Sequence, residues 1–355
     1  MRALPKARLT TLAITAFVVA LRMGSGSAWD RTATLWNALD EIGLSTRDMQ
    51  SVATGRPVAK LLQTDEAQEI AVFGSVRIDV PADSFVERFR DIARFESGPN
   101  VKQIGTFSQP PRLEDVKALR FPPEDLRALS RCEIGDCAVK VPAAVIASVQ
   151  REAGRVSETS ARTEALLKGM LVTLVTAYRT HGNRALAELR DQERPLRPGQ
   201  VLEGMLQKES PLLNNQPELR EYLLAYPVTR LRGAEEFFYW SLVDFGMKPT
   251  LRVNHVTIYQ PSPGRGIRYA IASKQLYASH YFDAALELKL LVDDPESADP
   301  NRVYLLVVNR ARIGGLTGFR GFLIRPSTRR RTRDALDRYL RATKTRLERA
   351  WEGEK

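Results

Sequence analysis

The chain has 355 residues, 43% hydrophobic and 27% charged, with 53 Lys and Arg against 42 Asp and Glu and a formal net charge of +11. These figures suit one large or two ordinary folded domains, long enough to bury a core without cross-links. They exclude a disordered chain, a collagen, a coiled coil and a polytopic membrane protein.

Arg2, Lys6 and Arg8 give a basic start, Leu9 to Leu21 is mostly apolar, and Gly26, Ser27 and Ala28 follow as small residues. This order predicts a signal peptide over 1–28, cleaved after Ala28, and so a periplasmic or secreted protein. The apolar run is shorter than the ~20 residues that cross a bilayer. An uncleaved anchor is the alternative, and Arg22 directly after the run argues against it.

Residues 29–65 read as a polar N-terminal helical segment, with Leu35, Trp36, Leu39 and Ile42 on one stripe. Within 66–109 a strand-like run, Glu69 to Val80, stops at Pro81. Asp83 or Ser84 caps a helix in which Phe85, Phe89 and Ile92 repeat at helical spacing. Residues 110–235 read as mostly helical, punctuated by Pro110-Pro111 and Pro122-Pro123. Leu166, Met170, Leu171, Leu174, Val175 and Tyr178 mark one amphipathic helix with Gly182 as its stop. Leu212, Leu219, Tyr222, Leu223 and Tyr226 mark another, ended by Pro227.

Cys132 and Cys137 are the only cysteines and lie close together, with Gly135 free to turn the chain between them. In an oxidising compartment they are expected to form a disulfide, worth ~2 kcal/mol for so short a loop. A redox-active pair is the alternative, although the spacing is not C-x-x-C, and no further Cys or His stands nearby to make a metal site.

In 236–355 the period changes. Leu251 to Tyr259 alternates and is rich in β-branched residues. Ile267 to Ser273 and Tyr277 to Val292 read as long strands or a bent pair, and Arg302 to Arg312 as a further strand; the turn-like joints favour an antiparallel sheet. After Pro326 a long helix is predicted, with Leu336, Leu340, Thr343, Leu347 and Trp351 on one face. The fold class is therefore α+β: a curved antiparallel sheet gripped by a long C-terminal helix, with a large helical insertion.

The strand ending Val80-Pro-Ala-Asp83, followed by a helix with Phe85, Phe89, Asp91, Ile92 and Phe95, resembles the opening of START-like (helix-grip, SRPBCC-type) domains. The late strands and the long final helix resemble their close. The likeness divides into 66–109 and 236–355, with 110–235 as the insertion. Arg131 to Pro142 and Ser273 to Ala285 also resemble segments of uncharacterised secreted bacterial proteins. The resemblance implies a pocket between sheet and final helix that takes lipids or other hydrophobic molecules, provided that side chains leave the space open.

Candidate site residues concentrate in Ser273 to Asp283. Read as one regular strand, this segment puts Gln275, Tyr277, Ser279, Tyr281 and Asp283 on one face and Lys274, Leu276, Ala278, His280 and Phe282 on the other. Tyr277, His280 and Tyr281 are taken as ligand-binding, with Asn309 as a polar anchor. His280 with Asp283 suggests acid–base chemistry, whereas the alternative is hydrogen-bonded structural residues, as for His255. Asn309 and Arg310 could neutralise an anionic head group, or pair with a surface carboxylate, the reading preferred for Arg310. No hydrolase, P-loop, zincin or dinucleotide motif is present, and no cofactor or metal is implied.

Arg329, Arg330, Arg331 and Arg333 crowd the start of the last helix, where basic charge opposes the helix dipole. They are read as docking to an anionic membrane, with a solvated basic face as the alternative; export disfavours nucleic acid. The expected function is non-catalytic binding or transfer of a hydrophobic ligand. The alternatives are a cyclase-like or hydrolytic enzyme, and an envelope scaffold using the insertion.

Overall fold

The computed structural model describes residues 28–153, 159–208, 210–262, 266–297, 299–316 and 318–354. The predicted leader, up to residue 27, lies outside them. The first elements are α1 (Ala28–Glu41), α2 (Thr46–Ala53), β1 (Val58–Leu62), β2 (Glu69–Ile78), α3 (Ala82–Arg90), α4 (Ile92–Phe95) and β3 (Val101–Thr106). A helical stretch follows: α5 (Pro123–Leu129), α6 (Ala143–Ala153), α7 (Thr159–His181), α8 (Pro198–Gln207), α9 (Pro211–Asn214) and α10 (Pro217–Ala225). β4 (Glu235–Val243), β5 (Thr250–Tyr259), β6 (Ile267–Ala278), β7 (Phe282–Asp293), β8 (Val303–Ile313) and α11 (Gly318–Glu352) complete the chain.

The eight described strands form one sheet in the order β1-β2-β8-β7-β6-β5-β4-β3, with every neighbouring pair antiparallel. Register shifts in β3–β4, β5–β6, β6–β7 and β7–β8 bend the ribbon. The α+β class is as predicted, and both faces of the sheet are covered. One face packs on α3, α4 and α11 through Val72, Val76, Val256, Ile271, Leu305 and their neighbours. The other face packs on α1, α2 and the helices between β3 and β4 through Phe73, Phe238, Trp240, Leu288 and Leu306.

Two-sided burial explains the strands that the sequence did not reveal. Glu235-Glu-Phe-Phe-Tyr-Trp lacks alternation because Phe237 and Tyr239 face one layer while Phe238 and Trp240 face the other. β1 lies inside the segment expected to be helical. It is a five-residue edge strand, half-buried throughout, and owes its conformation to pairing with β2.

The last helix begins at Gly318, earlier than the predicted start, and runs through Pro326. The hydroxyls of Ser327 and Thr328 donate to the Ile324 carbonyl at 2.8 Å and 3.0 Å. Leu336, Leu340, Thr343 and Leu347 are buried on one face, as their spacing predicts. The hollow expected beneath this helix is filled. A Cβ added at Gly74 of β2 would lie 2.7 Å from Leu340 Cδ1 and 2.8 Å from Leu336 Cδ2, so the leucines sit directly on bare backbone. Phe85, Phe89 and Phe95 pack at ring distances of 5.0–6.3 Å and close the same layer. Each such side chain contributes about 1.5–3 kcal/mol by leaving water.

Cys132 and Cys137 are disulfide-bonded, with Cα atoms 4.6 Å apart. Gly135 takes a positive φ of 96° between them. Its N–H donates to the Arg190 carbonyl at 2.8 Å, and the Cys137 N–H donates to the Asp191 carbonyl at 2.9 Å, so the loop is pinned beside the α7–α8 connection.

Candidate functional site

The segment read as one strand from Ser273 to Asp283 is a hairpin. β6 ends at Ala278, β7 begins at Phe282, and Tyr281 adopts φ 55° in the turn between them. Pairing passes from Val253 with Tyr277 to Asn254 with Gln275, which leaves Leu276 as an extra residue. Strict alternation is broken there, and Leu276 and Tyr277 both join the core facing the helices.

Against this irregular stretch lies a cavity of about 370 Å³. It is bounded by α6, α7, the tight helical turn Gly182–Ala185 and β6 and is partly open to solvent, with walls that include Val145, Leu166, Met170, Leu174, Leu276 and Tyr277. The Tyr277 hydroxyl donates to the Lys140 carbonyl at 2.7 Å. Burial raises its pKa, so the side chain stays neutral and presents ring surface to the cavity. The Ser148 hydroxyl is also occupied, donating to Ala144 O at 2.9 Å. The volume falls within the range of small-molecule pockets, and the lining is mostly apolar.

At the hairpin turn the polar residues are already partnered within the protein. His280 Nε2 lies 3.0 Å from Asp125 of α5, and both residues are buried. Asp283 is 2.9 Å from Lys140 Nζ, which also stands 3.8 Å from Asp191. His280 and Asp283 therefore bond to different partners, one on α5 and one in the segment between α5 and α6. The Tyr281 hydroxyl accepts the Lys248 N–H at 3.0 Å. Asn309 continues the alternation of Val303, Leu305 and Val307, which pack in the layer of α11, and so falls on the sheet face opposite the cavity. Of the four predicted ligand residues, Tyr277 is the one on the cavity wall. Arg310 pairs with the buried Glu69 at 2.6 Å rather than with a surface carboxylate.

Because α11 begins at Gly318, Arg329 to Arg333 lie about three turns inside it rather than at its start, where the dipole would oppose them, and they divide. Arg329 donates to the Leu62 carbonyl at 3.2 Å and Arg333 to Asp334 at 2.6 Å, whereas Arg330 and Arg331 are exposed. Leu323 and Ile324, 60% and 49% exposed, stand on the same stretch.

A second polar assembly was not singled out by the sequence. Glu236 of β4 accepts hydroxyls from Tyr222 at 2.6 Å and Tyr226 at 3.2 Å. Behind it His255 stacks on Phe238, with ring centroids 4.6 Å apart. Its Nδ1 is 3.2 Å from the Tyr178 hydroxyl, and its Nε2 is 3.4 Å from Glu236, close in charge but not aligned as a hydrogen bond. Burial pushes the imidazole down to about 4. Burial also acts to raise the Glu236 carboxyl, but neighbouring His255 and the two tyrosine hydroxyls outweigh it and hold the group at about 2. Deeper still, Lys274 Nζ donates to the Leu223 carbonyl at 2.8 Å and to Asn183 Oδ1 at 3.1 Å, and burial lowers its pKa to about 7. The available signal was a carboxylate opening an aromatic strand and two tyrosines four apart on a helix.

Among the described residues, no helix is long and apolar enough to cross a membrane, and no three His, Cys, Asp or Glu side chains gather as a metal site. No protein-family model matches the sequence, and neither the curated proteins nor the solved structures contain a match.

Proposed function

We propose that the protein binds a small hydrophobic or lipid-like molecule in the cavity between α6, α7 and β6, without catalysing a reaction on it. The observation that supports this reading is the mostly apolar wall of a cavity of about 370 Å³, where the hydroxyls of Tyr277 and Ser148 are bonded to backbone carbonyls. Such a lining rewards apolar surface, with the exposed Thr173 as a polar group at its edge. The reading departs from START-like domains in one respect: the cavity lies on the sheet face away from the final helix. A START-like ancestry remains part of the proposal on the strength of the antiparallel sheet and α11.

The proposal extends to place and partner. An exported protein accounts for the disulfide together with the leader-like start. Exposed Arg330 and Arg331 beside exposed Leu323 and Ile324 suit contact with an anionic bilayer, where each charge contributes ~1 kcal/mol.

Native mass spectrometry of gently purified protein tests the binding reading. An apolar adduct is expected on the wild type and should be lost on filling the cavity with Ala177→Phe. An unliganded protein that also fails to take up a fluorescent fatty acid would overturn it.

A further inference from the structure

A cleft of about 530 Å³ opens over Glu236, Tyr222 and Tyr226, walled by Pro110, Arg179 and Arg230 among others. Its floor carries an ionised carboxylate that is 28% exposed. The neighbouring Glu235 is bonded to Arg90 at 2.7 Å. Among the described residues, by contrast, no lysine or arginine forms an ion pair with Glu236; its charge neighbour is His255, which burial keeps neutral at neutral pH. Both tyrosine hydroxyls donate their protons to the carboxylate, which leaves its negative charge without a cationic partner. The floor is therefore a place for a cation, with aromatic surface around it.

The walls carry the opposite sign. Arg230 is exposed and lines the cleft, and Arg179, which donates to Gln109 at 3.1 Å, lines it as well. A simple cation meets repulsion from these arginines, and a simple anion meets repulsion from Glu236. A molecule with both charges a few atoms apart satisfies floor and wall together.

We propose that this cleft is a binding site for a small zwitterion, an amino acid or its N-methylated betaine, whose ammonium seats on Glu236 and whose carboxylate meets Arg179 and Arg230. The proposal is independent of the apolar cavity and stands if that one proves empty.

Isothermal titration of the full chain with glycine, L-alanine and glycine betaine tests it, with choline and acetate as single-charge controls. Saturable binding of at least one zwitterion is expected, about tenfold tighter than either control. Glu236→Gln, which keeps an acceptor for both tyrosines, should weaken that binding by about tenfold or more. Arg230→Ala changes an exposed side chain and should weaken the zwitterion while leaving choline unaffected; it carries the test if the Glu236 variant fails to fold. Absence of binding by all three zwitterions, choline binding as tightly as they do, or full affinity in Arg230→Ala together with any folded Glu236→Gln would overturn the proposal.

Discussion

His280 Nε2 stands 3.0 Å from each carboxylate oxygen of Asp125, a residue 155 positions earlier in the chain. This contact ties the β6–β7 turn to the first turn of α5 and so fastens the helical layer to the sheet. Asp125→Asn leaves a buried imidazole with a weaker partner and is expected to cost about 2 kcal/mol, read as a lower denaturant midpoint with an unchanged m-value.

Lys274 makes stability depend on pH. Its ammonium has an ordinary value of 10.5 in the unfolded chain and about 7 when folded, so the unfolded state holds more protons between those limits. Stability is therefore expected to rise as pH climbs from 7 toward about 10, where the buried tyrosines begin to oppose it. Lys274→Met should reduce that rise, leaving the share of Lys289, which burial lowers to about 8, as followed by urea melts at pH 7 and about pH 9.

Gly182 ends α7 with φ 61°, and a Cβ there would lie 1.8 Å from the Tyr226 carbonyl oxygen. Backbone would have to move, since the obstacle is not a side chain. Gly182→Ala is expected to cost about 3 kcal/mol or more in chemical denaturation, and to disturb the tyrosine pair over Glu236.

Ala177 lines the apolar cavity and is only half-buried. Ala177→Phe should grow into open volume. Affinity for a fluorescent fatty acid is expected to fall by about tenfold or more, with melting temperature within a few degrees of wild type.

The disulfide closes a loop already held by backbone bonds to Arg190 and Asp191. Replacing both cysteines by Ser should lower stability by about 2 kcal/mol, measured by thermal unfolding with and without reductant.

Much of the scaffold was legible because its elements carry one-sided patterns. The α11 stripe of Leu336, Leu340 and Leu347 and the alternation of β5 declare their partners locally. β4 did not, since an aromatic run buried on both faces has no period to read. A bent pair was one reading of this stretch, but the position of its turn at Ser279–Tyr281 was hidden because the turn uses a non-glycine residue at positive φ, a choice that tertiary contacts enforce. Tyr277 was legible as a site residue, but the face it serves was not, because the bulge at Leu276 depends on pairing with β5. Glu236 and His255 were obscured for a different reason: they become a unit only when α10 brings Tyr222 and Tyr226 across from β4.

The strand order has a consequence for how the molecule comes into being. β2 lies between β1 and β8, and the ion pair joining Glu69 to Arg310 spans 241 residues of chain. Throughout synthesis this early strand has one long edge bare until nearly the last residues emerge. A chain cut short before β8 is thus an aggregation hazard rather than a smaller working protein, and assembly of the sheet is a late, all-or-none event.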